Sequence, residues 1–254
     1  MEKFVALFDL HWGYARQGGH KVPLHDQRAL DVALQFVSDF KPHHTILGGD
    51  ILDCGAISHH NDGKPGEVEG LRIRQDAQEA RKELILPVES YTKDRLVYHI
   101  GNHEDWLQDL VMRCPPLEGL VEAEHILSLG KRWEVVEVGG ISRLGKLHFV
   151  HGEHVKTQNL AKAAVETYER NIRFGHHHTY QVYTKTSPVE SNGHTGVAVP
   201  CLCRKDPTYG KQAPNKWMQG FLYGYVDCPD NTFNDYVAVI VNGKVTIGGK
   251  TYRG

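Results

Sequence analysis

The chain has 254 residues, of which 40% are hydrophobic and 24% charged, and this composition excludes disordered, coiled-coil and collagen-like proteins. Its 29 basic and 31 acidic side chains leave a formal charge of −2, so no positive field of the whole molecule can gather nucleic acid, and affinity for phosphate must be local. The five cysteines form no CxxC pair and match neither a disulfide framework nor a zinc ribbon, which predicts reduced thiols.

Strands and helices alternate in the first half of the chain. Apolar runs predict strands at residues 4–8, 45–47 and 96–100, and helical spacing predicts helices before Pro42 and over 67–89. Polar residues follow each strand in turn: Asp9, then Gly49-Asp50, then Gly101-Asn102-His103-Glu104. Three strands therefore deliver polar side chains to one edge of a predicted sheet. The apolar run at residues 4–8 is also too short for a signal peptide.

The rest of the chain becomes progressively richer in strands. Helices are predicted at 105–113, 117–127 and 159–170, and strands at 133–138, 146–150, 172–174, 180–186, 196–202, 221–226 and 236–247. Asn242-Gly243 is typical of a type I′ hairpin turn. We find no internal repeat or linker, so a single domain over 1–254 is expected. No apolar stretch approaches the roughly 18 residues of a membrane span, which predicts a soluble, cytoplasmic protein.

Five polar clusters follow predicted strands. They are Asp9-x-His11, Asp50-x-x-Asp53, Asn102-His103-Glu104, His151-Gly152 and His176-His177-His178. The carboxyl ends of strands in an open α/β sheet meet at one crevice, so these distant positions can form one site. Two carboxylates, one carboxamide and four imidazoles suffice for two divalent ions if an oxygen, for which Asp50 is the best candidate, bridges them. A metal pair of this kind attracts a phosphate ester and acidifies bound water.

The five clusters, in this order over residues 4–178, resemble those of the calcineurin-like metallophosphoesterases. The resemblance implies an α/β fold, a four-layer α/β/β/α sandwich of two mixed β-sheets flanked by helices. It also implies phosphoester hydrolysis by in-line attack of a metal-bridging hydroxide. The ligands it implies are Asp9, His11 and His178 for the first ion, Asp50 as the bridge, and Asn102, His151 and His176 for the second. His103 resembles the family's catalytic histidine, and Mn²⁺ is the expected metal, with Zn²⁺ or Fe as alternatives.

Several other polar residues have two open interpretations. Asp53 could orient a ligand or cap the following loop, and Glu104 stands where many relatives carry Asp, which affects the shell around the ligands. His59 and His60 could reach substrate or be ordinary surface residues. His177 is expected to point away from its two neighbours if the segment is extended, and His148 and His154 are not expected to be ligands.

The substrate is less closely specified than the chemistry. Gly-Asn-His-Glu and Gly-His-x-His look closest to the branch with the DNA repair exonucleases, which favours a phosphodiesterase and includes a nuclease acting on DNA or RNA among the candidates. Basic and aromatic residues at 204–217 could grip a polynucleotide, although a solvated loop is the alternative. Those nucleases usually carry a capping domain, and only 76 residues follow His178 here. The alternatives are a small-nucleotide or cyclic-nucleotide hydrolase, a phosphomonoesterase, and a metal-binding scaffold without turnover; a homodimer is also compatible.

Overall fold

We describe residues 1–189, 193–206, 215–227, 229–230 and 232–254 of a computed structural model. The strands are β1 (Glu2–Leu7), β2 (Tyr14–Gln17), β3 (His20–Pro23), β4 (His44–Leu47), β5 (Arg95–His99), β6 (Trp133–Val136), β7 (Ser142–Leu144), β8 (Leu147–Val150), β9 (Asn171–Phe174), β10 (Gln181–Lys185), β11 (His194–Ala198), β12 (Gln219–Asp227), β13 (Thr232–Ile240), β14 (Lys244–Ile247) and β15 (Lys250–Arg253). The helices are α1 (Gln27–Phe40), α2 (Pro65–Val68), α3 (Ile73–Ala80), α4 (Leu86–Tyr91), α5 (Asn102–Arg113), α6 (Ala123–Ile126) and α7 (Leu160–Tyr168).

Two mixed sheets form the centre of the molecule. The first has the order β13-β12-β1-β4-β5-β6, in which β1, β4, β5 and β6 are parallel and β12 and β13 antiparallel. The second has the order β10-β11-β9-β8-β7, with a parallel centre and antiparallel edges. Parallel neighbours need long crossovers, which the helices supply.

Three apolar clusters separate four layers. The first packs α1, α3 and α4 against the first sheet, with Phe36 and Leu7 among its members. The second lies between the two sheets and includes Phe4 and Phe149, and the third packs α7 against the second sheet. Successive residues of a strand point to opposite faces, so β1 buries both its faces and has a continuous apolar sequence. The predicted α/β/β/α sandwich is confirmed.

Local signals account for the ends of α1. Asp26 caps its N-terminus by accepting hydrogen bonds from the backbone N–H groups of Arg28 and Ala29, at 3.0 and 3.3 Å. Lys41 ends the helix in a left-handed conformation with φ 49°, and Pro42 follows. The predicted helix therefore stops where the sequence indicates.

Glycines explain where predicted elements differ from the observed ones. The helix predicted over 117–127 is reduced to α6, because Gly119 adopts a φ of 77° that interrupts a helix. The strands predicted on either side of Gly139-Gly140 belong to different sheets, since β6 pairs with β5 whereas β8 pairs with β7 and β9. The Asn242-Gly243 hairpin is confirmed, with φ values of 52° and 67°.

Within the described ranges, no helix is both long and apolar enough to cross a bilayer.

One buried acid on α3 makes stability depend on pH. Asp76 is 8% exposed, its Oδ1 has no hydrogen-bond partner, and the Lys21 Nζ lies 4.0 Å away. Burial raises its pKa from 3.8 to about 7. The folded state therefore binds this proton more tightly than the unfolded chain does, so the free energy of unfolding falls as pH rises between about 4 and 7.

We therefore expect Asp76→Asn to stabilise the protein at pH 8 but to change little at pH 5. The difference between the two pH values should be about 1–2 kcal/mol after allowance for solvent screening. Urea unfolding of both proteins at the two pH values measures it, because every other titrating group is common to both. An equal difference in stability at pH 5 and pH 8 would contradict this assignment.

Candidate metal centre

The five polar clusters lie at the carboxyl ends of five strands. Asp9 follows β1, Asp50 follows β4 and Asn102 follows β5 in the first sheet, whereas His151 follows β8 and His176 follows β9 in the second. These strands are parallel within each sheet, so their carboxyl ends share one side of it. The structure brings all seven predicted ligands together at the junction of the two sheets.

The first group consists of Asp9, His11, Asp50 and His178, which are all buried. His11 Nε2 lies 3.2 Å from His178 Nε2 and 3.7 Å from Asp50 Oδ2. His178 Nε2 lies 3.7 Å from Asp9 Oδ1. Two imidazole nitrogens and two carboxylates thus converge on one point.

The second group shares Asp50 with the first. His151 Nε2 lies 3.3 Å from Asp50 Oδ2 and 3.1 Å from Asn102 Oδ1. The ligand atoms of Asp50, His151 and His176 all lie within 4.8 Å of one another. Asp50 Oδ2 is therefore the atom that both groups approach, which is the position a bridging ligand requires.

The tautomers of two histidines show that these groups fit cations. His151 Nδ1 donates to the Gly48 carbonyl at 3.0 Å, and His11 Nδ1 donates to Asp53 Oδ1 at 3.2 Å. Each Nε2 is left with a lone pair directed at carboxylate oxygens, which is repulsive unless a cation or a proton lies between them. Mixed nitrogen and oxygen donors suit Mn²⁺, Fe or Zn²⁺.

The pKa shifts within the two ligand groups also indicate that these groups fit cations. Burial would lower the pKa of His151, but the neighbouring Asp50 and Asp9 carboxylates outweigh it and raise that pKa to about 10. Burial raises the pKa of Asp9 to about 7. Burial and the adjacent His151 lower the pKa of His176 to about 4, so its imidazole is neutral near pH 7. Without a cation the buried carboxylates must retain a proton nearby, and a bound dication replaces that proton.

Asp53 makes both of the contacts that its sequence position left open. Its Oδ1 accepts from His11 Nδ1, and its Oδ2 accepts from the Gly55 backbone N–H at 3.1 Å. The backbone carbonyl of Asp53 also accepts from His103 Nδ1 at 2.6 Å. One residue therefore orients a proposed ligand, closes the following turn and fixes the histidine expected to be catalytic.

His103 borders the ligand groups and is itself 18% exposed at its side chain. Its backbone N–H donates to Asp50 Oδ1 at 2.9 Å, and its ring centroid lies 4.5 Å from that of His11. Burial would lower its pKa, but Asp50 and Asp53 outweigh it and raise the pKa to about 10. Because Nδ1 is engaged, Nε2 is the atom available to exchange a proton with a substrate.

Glu104 holds the backbone that carries Asp50. It is buried, and its carboxylate accepts from five donors: the backbone N–H groups of Asp50, Ile51, Leu52 and Gly101, and the Tyr98 hydroxyl. These distances run from 2.7 to 3.0 Å. A carboxylate surrounded in this way contacts protein and not substrate.

Left-handed backbone is concentrated at the ligand groups. Five of the seven predicted ligand residues have positive φ values: Asp9 (52°), His11 (49°), Asp50 (51°), His176 (65°) and His178 (55°). Such a conformation costs about 1–2 kcal/mol for a residue with a Cβ atom. The positive φ values of His176 and His178 also show that the segment around His177 is not extended. The extended conformation assumed for His177 in the sequence analysis is therefore wrong.

The other five histidines considered in the sequence analysis lie outside the two ligand groups. His177 packs against the Phe174 ring with a centroid distance of 6.5 Å, and His148 Nδ1 contacts the Lys146 carbonyl at 3.2 Å. His154 contacts the Tyr168 hydroxyl. His59 and His60 are exposed and lie next to Trp106, with centroid distances of 6.2 and 6.1 Å.

One contact of a proposed ligand had no signal in the sequence. Cys203 Sγ lies 3.6 Å from His178 Nδ1, and the Cys203 backbone N–H donates to the Asp9 carbonyl at 3.0 Å. The four described cysteines are free thiols, as predicted, and three of them are buried. Cys228 lies outside the described residues. A thiol is therefore the partner of His178 Nδ1, where a carboxylate or carbonyl is more usual.

The basic and aromatic stretch at 204–217 is described only at its two ends, and Pro207, Tyr209, Lys211 and Pro214 lie outside the described residues. Arg204 pairs with Asp206 at 2.9 Å, so its charge is satisfied locally. Lys205 and Lys216 are exposed. The Trp217 ring lies 4.1 Å from the His178 ring, so Trp217 lies beside the ligand groups.

No protein-family model matches the chain. It is 22% identical to the Gene 54 protein of Mycobacterium phage D29 and 21% identical to the Gene 54 protein of Mycobacterium phage L5, with 92% of this chain and 95% of each relative covered. Similar solved structures include Chaetomium thermophilum Vps29 (12% identity, TM-score 0.49, 100% and 99% of the two chains covered). Others are YfcE, a phosphoesterase from E. coli (14%, 0.42, 92% and 98%), and TT1561 of Thermus thermophilus (10%, 0.34, 93% and 98%).

Proposed function

We propose that this chain is a metal-dependent phosphoesterase of the calcineurin-like class that hydrolyses phosphodiesters. The observation that carries the proposal is the Asp50 carboxylate, which is shared by two groups of buried nitrogen and oxygen ligands. Asp9, His11 and His178 would hold one divalent ion, and Asn102, His151 and His176 the other. Mn²⁺ is the proposed metal, with Zn²⁺ or Fe as alternatives that the donor set also accepts.

The chain's own residues have distinct tasks in this reaction. When bound, two divalent ions supply Lewis acidity and lower the pKa of water. His103 stabilises charge on the phosphoryl oxygens or delivers its Nε2 proton to the departing oxygen. Asp53 holds His103 through its backbone carbonyl and His11 through its carboxylate, so it keeps both rings in one orientation. Glu104 fixes the backbone of Asp50.

A diester is proposed over a monoester because the Gly-Asn-His-Glu and Gly-His-x-His clusters look closest to the branch with the DNA repair exonucleases. A monoester dianion needs additional cations beside the metals, whereas a diester carries a single charge and needs space for two substituents.

Hydrolysis of bis(p-nitrophenyl) phosphate and p-nitrophenyl phosphate tests the proposal. We expect the EDTA-treated protein to be inactive, Mn²⁺ to restore activity, and the diester to be the better substrate. A 3′,5′-cyclic nucleotide is the third substrate, and preference for it would identify the alternative hydrolase. If metals bind but none supports hydrolysis of any substrate, the chain is a scaffold and the proposal is wrong.

A further inference from the structure

A row of five rings crosses the candidate metal centre. In order they are Trp106, His103, His11, His178 and Trp217, and neighbouring ring centroids lie 4.3, 4.5, 5.0 and 4.1 Å apart. The three imidazoles belong to the metal centre described above. The two indoles at the ends have no role in metal binding, and both are partly exposed whereas His11 and His178 are buried. They therefore lie at the rim, between the centre and solvent.

The first indole is held in place by its own helix. Trp106 lies three residues after His103 on α5, so the two side chains are neighbours on one face of that helix. The exposed rings of His59 and His60 approach it nearly edge-on, with interplanar angles of 89° and 80°. Apolar contacts with the first core cluster anchor the inner part of the side chain.

The second indole is tied to the opposite end of the row. The Met218 backbone N–H donates to the His178 carbonyl at 2.7 Å, and the Trp217 backbone N–H donates to Asn215 Oδ1 at 3.1 Å. Asn215 Nδ2 in turn donates to the Lys205 carbonyl at 2.7 Å. These bonds place the backbones of Lys205 and Lys216, two exposed cations, close to Trp217. Proteins bind the bases and phosphates of single strands with aromatic rings and lysines carried by the same segment.

The position of the row favours one class of substrate. A phosphodiester carries two substituents, and the row of rings ends in an indole beyond the imidazoles at either end. A monoester or a cyclic nucleotide carries only one base and can use only one indole. We propose, on the premise of the proposed function, that Trp106 and Trp217 are stacking positions for the bases that flank the scissile phosphate, and that the substrates are single-stranded oligonucleotides.

A matched pair of substrates isolates this contribution. Thymidine 5′-(p-nitrophenyl phosphate) and methyl p-nitrophenyl phosphate have the same leaving group and differ only in the nucleoside. The nucleoside ester carries one base and can use one indole, so we expect one of the two variants, Trp106→Leu or Trp217→Leu, to lower the ratio of kcat/KM for the nucleoside ester to that for the methyl ester by about 5- to 100-fold, mainly through KM. Trp→Phe at the same position should recover much of the ratio, because a ring remains.

Tyr236→Leu is the control, because Tyr236 is 50% exposed on β13 and contacts none of the five rings. The ratio should be unchanged in this variant. A second readout needs no turnover: oligothymidylate should quench the tryptophan fluorescence of the EDTA-treated protein, and less so in Trp106→Phe/Trp217→Phe. Phenylalanine keeps the packing of Trp106, so this variant guards against misfolding.

The outcomes separate the two proposals. If wild type hydrolyses both esters but neither tryptophan variant changes the ratio, the indoles are structural and this inference is overturned while the phosphoesterase stands. Equal cleavage of thymidylyl-thymidine by wild type and the double leucine variant would overturn it as well. If wild type hydrolyses neither ester with any metal, the proposed function itself has failed.

Discussion

Asp50→Asn is expected to lower diester hydrolysis by about 10²- to 10⁴-fold and to weaken the binding of both ions. The substitution preserves shape, so the effect comes from charge: Asp50 Oδ2 lies 3.3 Å from His151 Nε2 and 3.7 Å from His11 Nε2, and asparagine cannot balance two cations there. Loss of one partner from a buried charged group costs about 3–5 kcal/mol, which corresponds to roughly 10²- to 10⁴-fold. Metal content by elemental analysis and affinity by calorimetry measure it.

Asp39→Asn supplies the control for that experiment. Asp39 is an exposed aspartate on α1 that pairs with Lys250, so its replacement removes the same charge without touching the centre. Metal content and hydrolysis should stay at wild-type values. Two ions still bound at wild-type affinity in Asp50→Asn would show that this carboxylate bridges nothing.

His103→Gln should reduce kcat by about 10²- to 10⁴-fold while both ions remain bound. His103 contacts Asp50 only through its backbone N–H and holds its ring against the Asp53 carbonyl, so the ligand atoms keep their places when the imidazole is removed. A side chain that protonates the leaving oxygen matters most for poor leaving groups. The loss should therefore be larger for thymidylyl-thymidine than for bis(p-nitrophenyl) phosphate.

Comparison of the two substrates separates the two roles open to this histidine. An equal loss on both would mean that His103 stabilises charge on the phosphoryl oxygens and transfers no proton. A substantial loss of bound metal would instead place His103 among the ligands, and the assignment made here would be wrong.

The strand ends of this fold could be predicted because apolar runs and polar clusters alternate along the chain. Residues 4–7 are fully buried on both faces of β1, and a strand of that kind must have an uninterrupted apolar sequence before Asp9. Because each predicted ligand lies shortly after such a strand, the positions of the strands in the sequence were enough to predict that the seven side chains meet.

Other features depend on contacts that no local pattern reports. Strands β2, β3 and β15 are largely polar and were not predicted, whereas β14 lies within the strand predicted over 236–247. The Gly18-Gly19 and Gly248-Gly249 turns were the local signals for the two hairpins that contain these strands. Cys203 approaches His178 although the two residues lie 25 positions apart along the chain. Glu104 gathers five donors from three segments, which could not be deduced from its place in one motif.

The left-handed backbone at five of the proposed ligand residues also has an evolutionary consequence. Each of these residues is strained by about 1–2 kcal/mol for as long as it keeps a Cβ atom, and glycine relieves that strain. A lineage that stopped using the ions would gain stability from each glycine it accepted at these positions. Selection for stability and loss of catalysis would then act in the same direction. Restoring a side chain at each such position would cost about 1–2 kcal/mol again, so the return would require several destabilising substitutions together.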